Sequence, residues 1–326
     1  MRPSRSDRAS RAAPPAAGRR GSAAAAPRRP SGGRAWRHPR RRRGAGGADF
    51  LLRHVADDLI ERLAVVKRRF PLALEIGSPL PHLADRLVAT GQVDRVVRLD
   101  RLPGALAGSP HAAIAGDEEM LPLAPASLDL VVSVLALELV NDLPGVLLQV
   151  RRALKPDGLF LAALLAGDTL IELREALTEA EIEATGGASP RVAPFADIRA
   201  LGGLLQRAGF ALPVVDQDRL TIRYGDALGL MRDLRAMGAT SVLAERARKP
   251  LGRPVLMRAV AAYGERSSDP DGRVRATFDV VSLSGWAPDE SQQKPLRPGS
   301  ARMRLADALG TVENRSGETV RPDQSK

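Results

Sequence analysis

Glu75, Gly77, Asp100 and the pair Asp117–Glu118 are spaced as a nucleotide site would need them. Glu75 and Gly77 close a short apolar run, Leu72–Leu74, and a helical pattern begins directly behind them, which is how a nucleotide-binding α/β domain opens. Asp100 stands 25 residues after Glu75 at the end of a second apolar run. An acid at that place can accept hydrogen bonds from ribose hydroxyls, and an ordinary polar strand end fits the spacing equally well. Asp117 and Glu118 follow a third short run and precede Met120-Leu121-Pro122-Leu123. Acids there can receive the amino group of an adenine while the apolar residues wall its face; a solvated acidic turn is the alternative.

The loop after Gly77 departs from the usual design. Nucleotide-cofactor folds place two more glycines at alternate positions, so that backbone can approach the ligand, and here those positions are Pro79 and Pro81. Proline offers no N–H and fixes φ near −65°. Ser78 and Pro79 read as N-cap and first residue of a helix to Thr90, which would keep a positive helix end toward the ligand.

Those residues need a sheet to hold them. Apolar patterning predicts strands at 72–76, 95–99, 111–115, 128–135, 159–165, 211–215 and 274–283, with a further extended piece at 220–224. Predicted helices lie at 49–69, 79–90, 143–154, about 170–184, 195–208, 226–237 and 253–263. Asp49 is the expected cap of the first, Gly167-Asp168-Thr169 that of the fourth, and Lys155-Pro156-Asp157-Gly158 reads as a tight turn. A strand every 20 to 30 residues with helices between implies an α/β, doubly wound, mostly parallel seven-stranded sheet. Residues 1–47 form a basic Arg/Ala/Pro-rich tail, 48–286 the domain with a helical insertion at about 225–263, and 287–326 a polar tail. On the insertion, Leu228, Met231, Leu234 and Met237 share one helix face, read as core packing or a lid.

Composition excludes several classes. The net charge of +11 comes from the tail: residues 1–48 carry 14 arginines against Asp7, and the remainder is nearly neutral. No nucleic-acid partner is therefore expected of the folded part. With no cysteine there is no disulfide or thiolate chemistry, and the four histidines are too scattered for a helical metal site. The longest apolar run, 128–140, contains Asp129 and Glu138 and is too short to span a bilayer, leaving peripheral association as the most a membrane would offer. Arginine outnumbers lysine 44 to 5, a bias of GC-rich bacterial coding. Three readings of the tail stand: a transit peptide, a disordered arm, or sequence upstream of the true start. A bacterial source implies the cytoplasm, a eukaryotic one the mitochondrial matrix.

LALEIG (72–77), GDEEMLPL (116–123), SLDLVVSVLALELVNDLP (127–144), RRALKPDGLF (151–160), GDTLIELREAL (167–177) and the segment 232–239 together resemble the methyltransferase-like mitochondrial complex I assembly factor 5 and its bacterial counterparts. A more distant likeness is to the malonyl-carrier-protein methyltransferase of biotin synthesis. The resemblance implies the class I methyltransferase fold and S-adenosyl-L-methionine as cofactor. It implies that Glu75 and Gly77 contact the methionine part, Asp100 the ribose, and Asp117 with Glu118 the adenine, and that Ser133 borders the transferred methyl group. Asn141 and Asp168 are the catalytic candidates at the pocket edge. The implied substrate is a protein or carrier-bound group, with an iron–sulfur subunit of complex I as the candidate protein partner. Arginine hydroxylation or a non-catalytic assembly role is the alternative. Where the family commonly has His-Trp before Val-Asn-Asp, this chain has Glu138-Leu139.

Overall fold

The computed structural model describes residues 49–241, 243, 250–293, 300 and 303–312. The basic amino-terminal segment, with its three readings, lies outside the described residues. Seven strands form one sheet in the order β3-β2-β1-β4-β5-β7-β6: β1 Phe70–Ile76, β2 Val93–Asp100, β3 Ala112–Ala115, β4 Leu128–Val134, β5 Leu154–Ala166, β6 Ala211–Tyr224 and β7 Val274–Trp286. The first five are parallel. β7 runs antiparallel between β5 and β6. The expected doubly wound α/β sheet is thus present.

Strands buried on both faces need apolar side chains at every position, and β4 supplies them in Leu128, Leu130, Val131, Val132 and Val134. Alternate residues feed two cores. One joins the sheet to α1 (Phe50–Ala64), α2 (His82–Ala89), α5 (Ile171–Thr185), α7 (Ala227–Ala236) and α8 (Arg253–Ser267). The other packs α4 (Leu143–Ala153) and α6 (Ile198–Arg207) on the opposite face. α1 alone buries Leu51, Leu52, Val55, Leu59, Ile60 and Leu63, each worth roughly 1.5–3 kcal/mol of transfer free energy. A short α3, Pro103–Leu106, covers β2. Chain compactness separates a unit ending at Ala287 from a second beginning at Pro288, whose described part includes α9, Leu305–Leu309.

Local expectations fail where proline or a competing acceptor intervenes. The helix after β1 begins at His82 with Pro81 as N-cap, not at Pro79. Leu80 precedes a proline, which disfavours helical backbone there, and the Ser78 hydroxyl donates to Leu80 O (2.9 Å) rather than capping. Asp49 precedes α1 without a side-chain cap bond, its carboxylate accepting from Arg53 instead. Gly167-Asp168-Thr169 does not cap α5 either. Leu170 holds the N-cap position with φ 56°, while Thr169 Oγ1 donates to Ala166 O (2.7 Å) and accepts from Asp279 N (3.0 Å). Residues 155–158 lie inside β5 as an irregularity, with Asp157 at φ 59° and its N–H donating to Ala287 O. The two extended pieces at 211–224 are the single edge strand β6.

Candidate functional site

Parallel strands present their carboxyl ends on one side of the sheet, and ligands bind in the crevice outside them. A cavity of about 610 Å³ opens there, lined on its strand side by Gly77, Pro79, Asp100, Glu118 and Ala136. This volume lies within the range of small-molecule pockets. Gly77 follows β1 with φ 75°, and a Cβ on it would sit 2.5 Å from that of Ala136. Only glycine meets both the left-handed backbone and the close approach. Asp100, at the end of β2, is buried, and its Oδ1 accepts from Leu102 N (2.7 Å), fixing the carboxyl at the cavity wall.

The other acids are placed differently. Asp117 and Glu118 both accept from Arg101, the Glu118 bond at 3.2 Å, but Glu118 alone of the two lines the cavity. Ser133 is fully buried on β4 and donates to Ile76 O (3.0 Å), tying two strand ends together beneath the cavity. Glu75 is also off the cavity wall. Its Oε2 accepts from Arg98 Nε (2.7 Å), and both side chains are 1% exposed. Arg98 Nη2 donates onward to Ser78 O (2.8 Å), so the pair clamps the proline loop from below. Glu75 Oε1 is buried without a hydrogen-bond partner. Burial pushes the Glu75 carboxyl up to about 7, against the pull of the Arg98 charge and hydrogen bond.

The pocket-edge candidates stand apart. Asn141 donates through its backbone and side-chain nitrogens to Glu119 Oε1 (2.7 and 2.9 Å), and Asp168 pairs with Arg219 Nη2 (2.7 Å); neither lines the cavity. Sequence reasoning missed Arg98, Arg101 and Ala136. The first had a visible signal: Glu75 and Arg98 are direct partners in the β1–β2 register, and an arginine between Val97 and Leu99 of an apolar strand calls for a buried acid. Among the described residues no cluster of three or more His, Asp or Glu is placed to hold a metal ion.

The residues present suit a nucleoside. Asp100 offers a carboxylate to hydroxyls, Glu118 one to an exocyclic amine, and Leu102, Pro103 and Gly104 line the wall beside them. The poorer fit is at Pro79, where the loop has no N–H to give.

Sheet order and cavity position define a protein of the class I methyltransferase fold. A family described as a methyltransferase domain matches residues 74–162. The YcgJ protein of Bacillus subtilis superposes with a TM-score of 0.51 at 15% identity, over 72% of this chain and 99% of that one, a likeness of fold alone. The mitochondrial arginine-hydroxylase NDUFAF5 of Danio rerio is 38% identical over 264 residues, 79% of this chain and 82% of that protein. The malonyl-[acyl-carrier protein] O-methyltransferase of Methylovorus sp. (strain MP688) is 34% identical over 290 residues, 84% and 92% of the respective chains. The chain belongs to the family of NDUFAF5, the methyltransferase-like complex I assembly factor 5, as the motif blocks implied.

Proposed function

We propose that this protein binds S-adenosyl-L-methionine in the strand-end cavity and transfers its methyl group to a protein or carrier-bound substrate. The observation that carries the reading is the convergence of Gly77, Asp100 and Glu118 on one wall of that cavity. Asp100 accepts from the ribose hydroxyls, Glu118 from the adenine amine, and Gly77 leaves room at the first turn. Glu75, Asp117 and Ser133 act behind the wall: Glu75 through Arg98 on the loop, Asp117 through Arg101 on Glu118, Ser133 by joining β4 to β1. When bound, the cofactor supplies an electrophilic methyl group. The chain then needs to hold the acceptor in line and exclude water, since placement provides most of the gain in such a transfer. Leu135, Leu139 and Val140 line the cavity beyond the end of β4 and are suited to excluding it.

Calorimetric titration of the full chain with S-adenosylmethionine and S-adenosylhomocysteine tests this, with micromolar binding expected. Gly77→Ala should weaken both at least tenfold, because the new methyl group collides with Ala136. Absence of heat and of thermal stabilisation at millimolar ligand would sink the proposal.

A second reading has its own support in Pro79 on the cavity wall and in relatives named arginine-hydroxylase. In it the chain is a complex I assembly factor, a protein arginine hydroxylase or a non-catalytic platform, whose partner is an iron–sulfur subunit of that complex. Its compartment is the bacterial cytoplasm or the mitochondrial matrix, according to source. Among the described residues no helix is long and apolar enough to cross a membrane. Affinity purification that recovers no respiratory-chain subunit would count against this reading.

A further inference from the structure

The cavity is chemically two-sided. Its strand-end wall carries three acids, Asp100, Glu118 and Glu138, and one arginine, Arg101, which is paired with Asp117 and Glu118, whereas the wall built by α1, α5, the 186–197 connection and α7 is apolar, with Leu52, Leu173, Val192, Met231 and Leu234. Two arginines interrupt that apolar wall, Arg191 and Arg235. Arg191 is paired with Glu181. Arg235, in the last turn of α7, is exposed at the cavity wall and has no ion pair to a described residue. A sulfonium cofactor with an α-amine is itself partly cationic and matches the acidic wall. It accounts for neither the apolar wall nor a guanidinium standing at the edge of that wall.

We infer that the helical half of the cavity takes an apolar chain with an anionic head group, the chain lying against α1, α5 and α7 and the head at Arg235. This rests on the proposed function in one respect: it makes that chain the substrate-side ligand of the same site. Opposite walls of opposite charge would keep the two ligands in their own halves. A polar peptide would leave the apolar side chains of α5 and α7 against hydrated groups, which is costly for both. Free carboxylate lipids and acyl thioesters on a phosphate-bearing arm share the required chemistry.

The full chain is titrated with octanoate, decanoate and dodecanoate below their micellar concentrations, with dodecanoyl-coenzyme A, with dodecyltrimethylammonium and with S-adenosylhomocysteine. Affinity should rise about fourfold per added methylene, and the carboxylate should bind at least tenfold tighter than the ammonium. Tighter binding of either dodecanoate or the thioester supports the inference and identifies the source. Arg235→Glu should reverse the head-group preference. Met231→Trp, and independently Val192→Trp at a half-buried position, should lose the chain while S-adenosylhomocysteine still binds, which shows that the variants fold. S-adenosylhomocysteine binding with no chain-length dependence, or displacement of dodecanoate by N-acetyl-arginine amide, overturns the inference alone. Dodecanoate binding without any cofactor binding supports the apolar-chain site and removes the methyltransferase reading instead.

Discussion

Two buried acids in this sheet are each held by an arginine directly opposite on the neighbouring strand, and their surroundings push the two carboxyls in opposite directions. Glu75 on β1 faces Arg98 on β2, and Asp279 on β7 faces Arg219 on β6. β2 is an inner strand covered by α3, so Arg98 is as enclosed as its partner. β6 is the sheet edge, so Arg219 is half exposed while Asp279 is 1% exposed. Coordination differs as well. Asp279 accepts from Arg219 Nε (2.7 Å) on Oδ1, and from Arg219 Nη2 (2.8 Å) and Asp168 N (2.9 Å) on Oδ2. Glu75 has one oxygen engaged and the other without a partner. Burial raises Asp279 too, but the Arg219 and Asp168 hydrogen bonds outweigh it and hold the carboxyl below the usual range. Burying an acid therefore does not by itself determine its charge; the depth of burial is weighed against the donors and the positive charge that reach it.

The sharpest way to break the contrast is Arg98→Met. It strands a buried carboxyl and removes the donor to Ser78 O, so chemical denaturation should show a loss of about 3–5 kcal/mol. Arg98→Met combined with Glu75→Leu should be more stable than Arg98→Met alone, because the orphaned charge goes with its partner. A double variant no better than the single one would show that Arg98 acts on the loop alone.

Next in size is a pH effect. The folded carboxyl of Glu75 titrates near 7 against an ordinary 4.5, so between those values the native state binds the extra proton. Its contribution is fully present below about 4.5 and is lost as pH rises through 7. The loss is on the order of 3 kcal/mol. Glu75→Gln should remove that slope from a stability-against-pH curve, and an unchanged slope would assign the titration elsewhere. Asp279 should do the reverse, losing its contribution as pH falls below the ordinary carboxylate range. Asp279→Asn should cost about 2 kcal/mol near neutrality through weakened hydrogen bonds at a buried site, measured by the shift in urea midpoint.

The legibility of the sequence follows the range of the interactions. Strands β1 to β4, and the placement of Gly77, Asp100 and Glu118 at the ends of β1, β2 and β3, were readable because a strand, its terminal acid and the following turn are local and periodic. The Glu75–Arg98 clamp was half legible: an arginine inside an apolar strand calls for a buried acid, but which acid depends on β1 and β2 pairing in one particular register. The proline loop misled for a local reason: the Ser78-Pro79 cap signal was sound, but the second proline at 81 disfavoured helix at Leu80. The helical wall was least legible. Met231 and Leu234 read as core packing or a lid, and Leu234 is buried core with Met231 packed against it; that the same face also borders the cavity depends on where α7 sits on α8 and β6, which no local pattern shows.

Asp168 is the smallest lever on the same comparison. Its exposed carboxylate meets Arg219 Nη2, the nitrogen that also reaches Asp279, while its own backbone N–H, which no side-chain change removes, donates to Asp279. Exposed ion pairs are worth little because water and salt screen them and both side chains lose freedom. Asp168→Ala should therefore leave the denaturation midpoint at the wild-type value in 0.15 M salt, and leave the affinity for S-adenosylhomocysteine unchanged, because the side chain is off the cavity wall. A clear fall in cofactor affinity would mean that Asp168 swings from Arg219 into the site when ligand binds, and would turn the edge latch into a working part of the pocket.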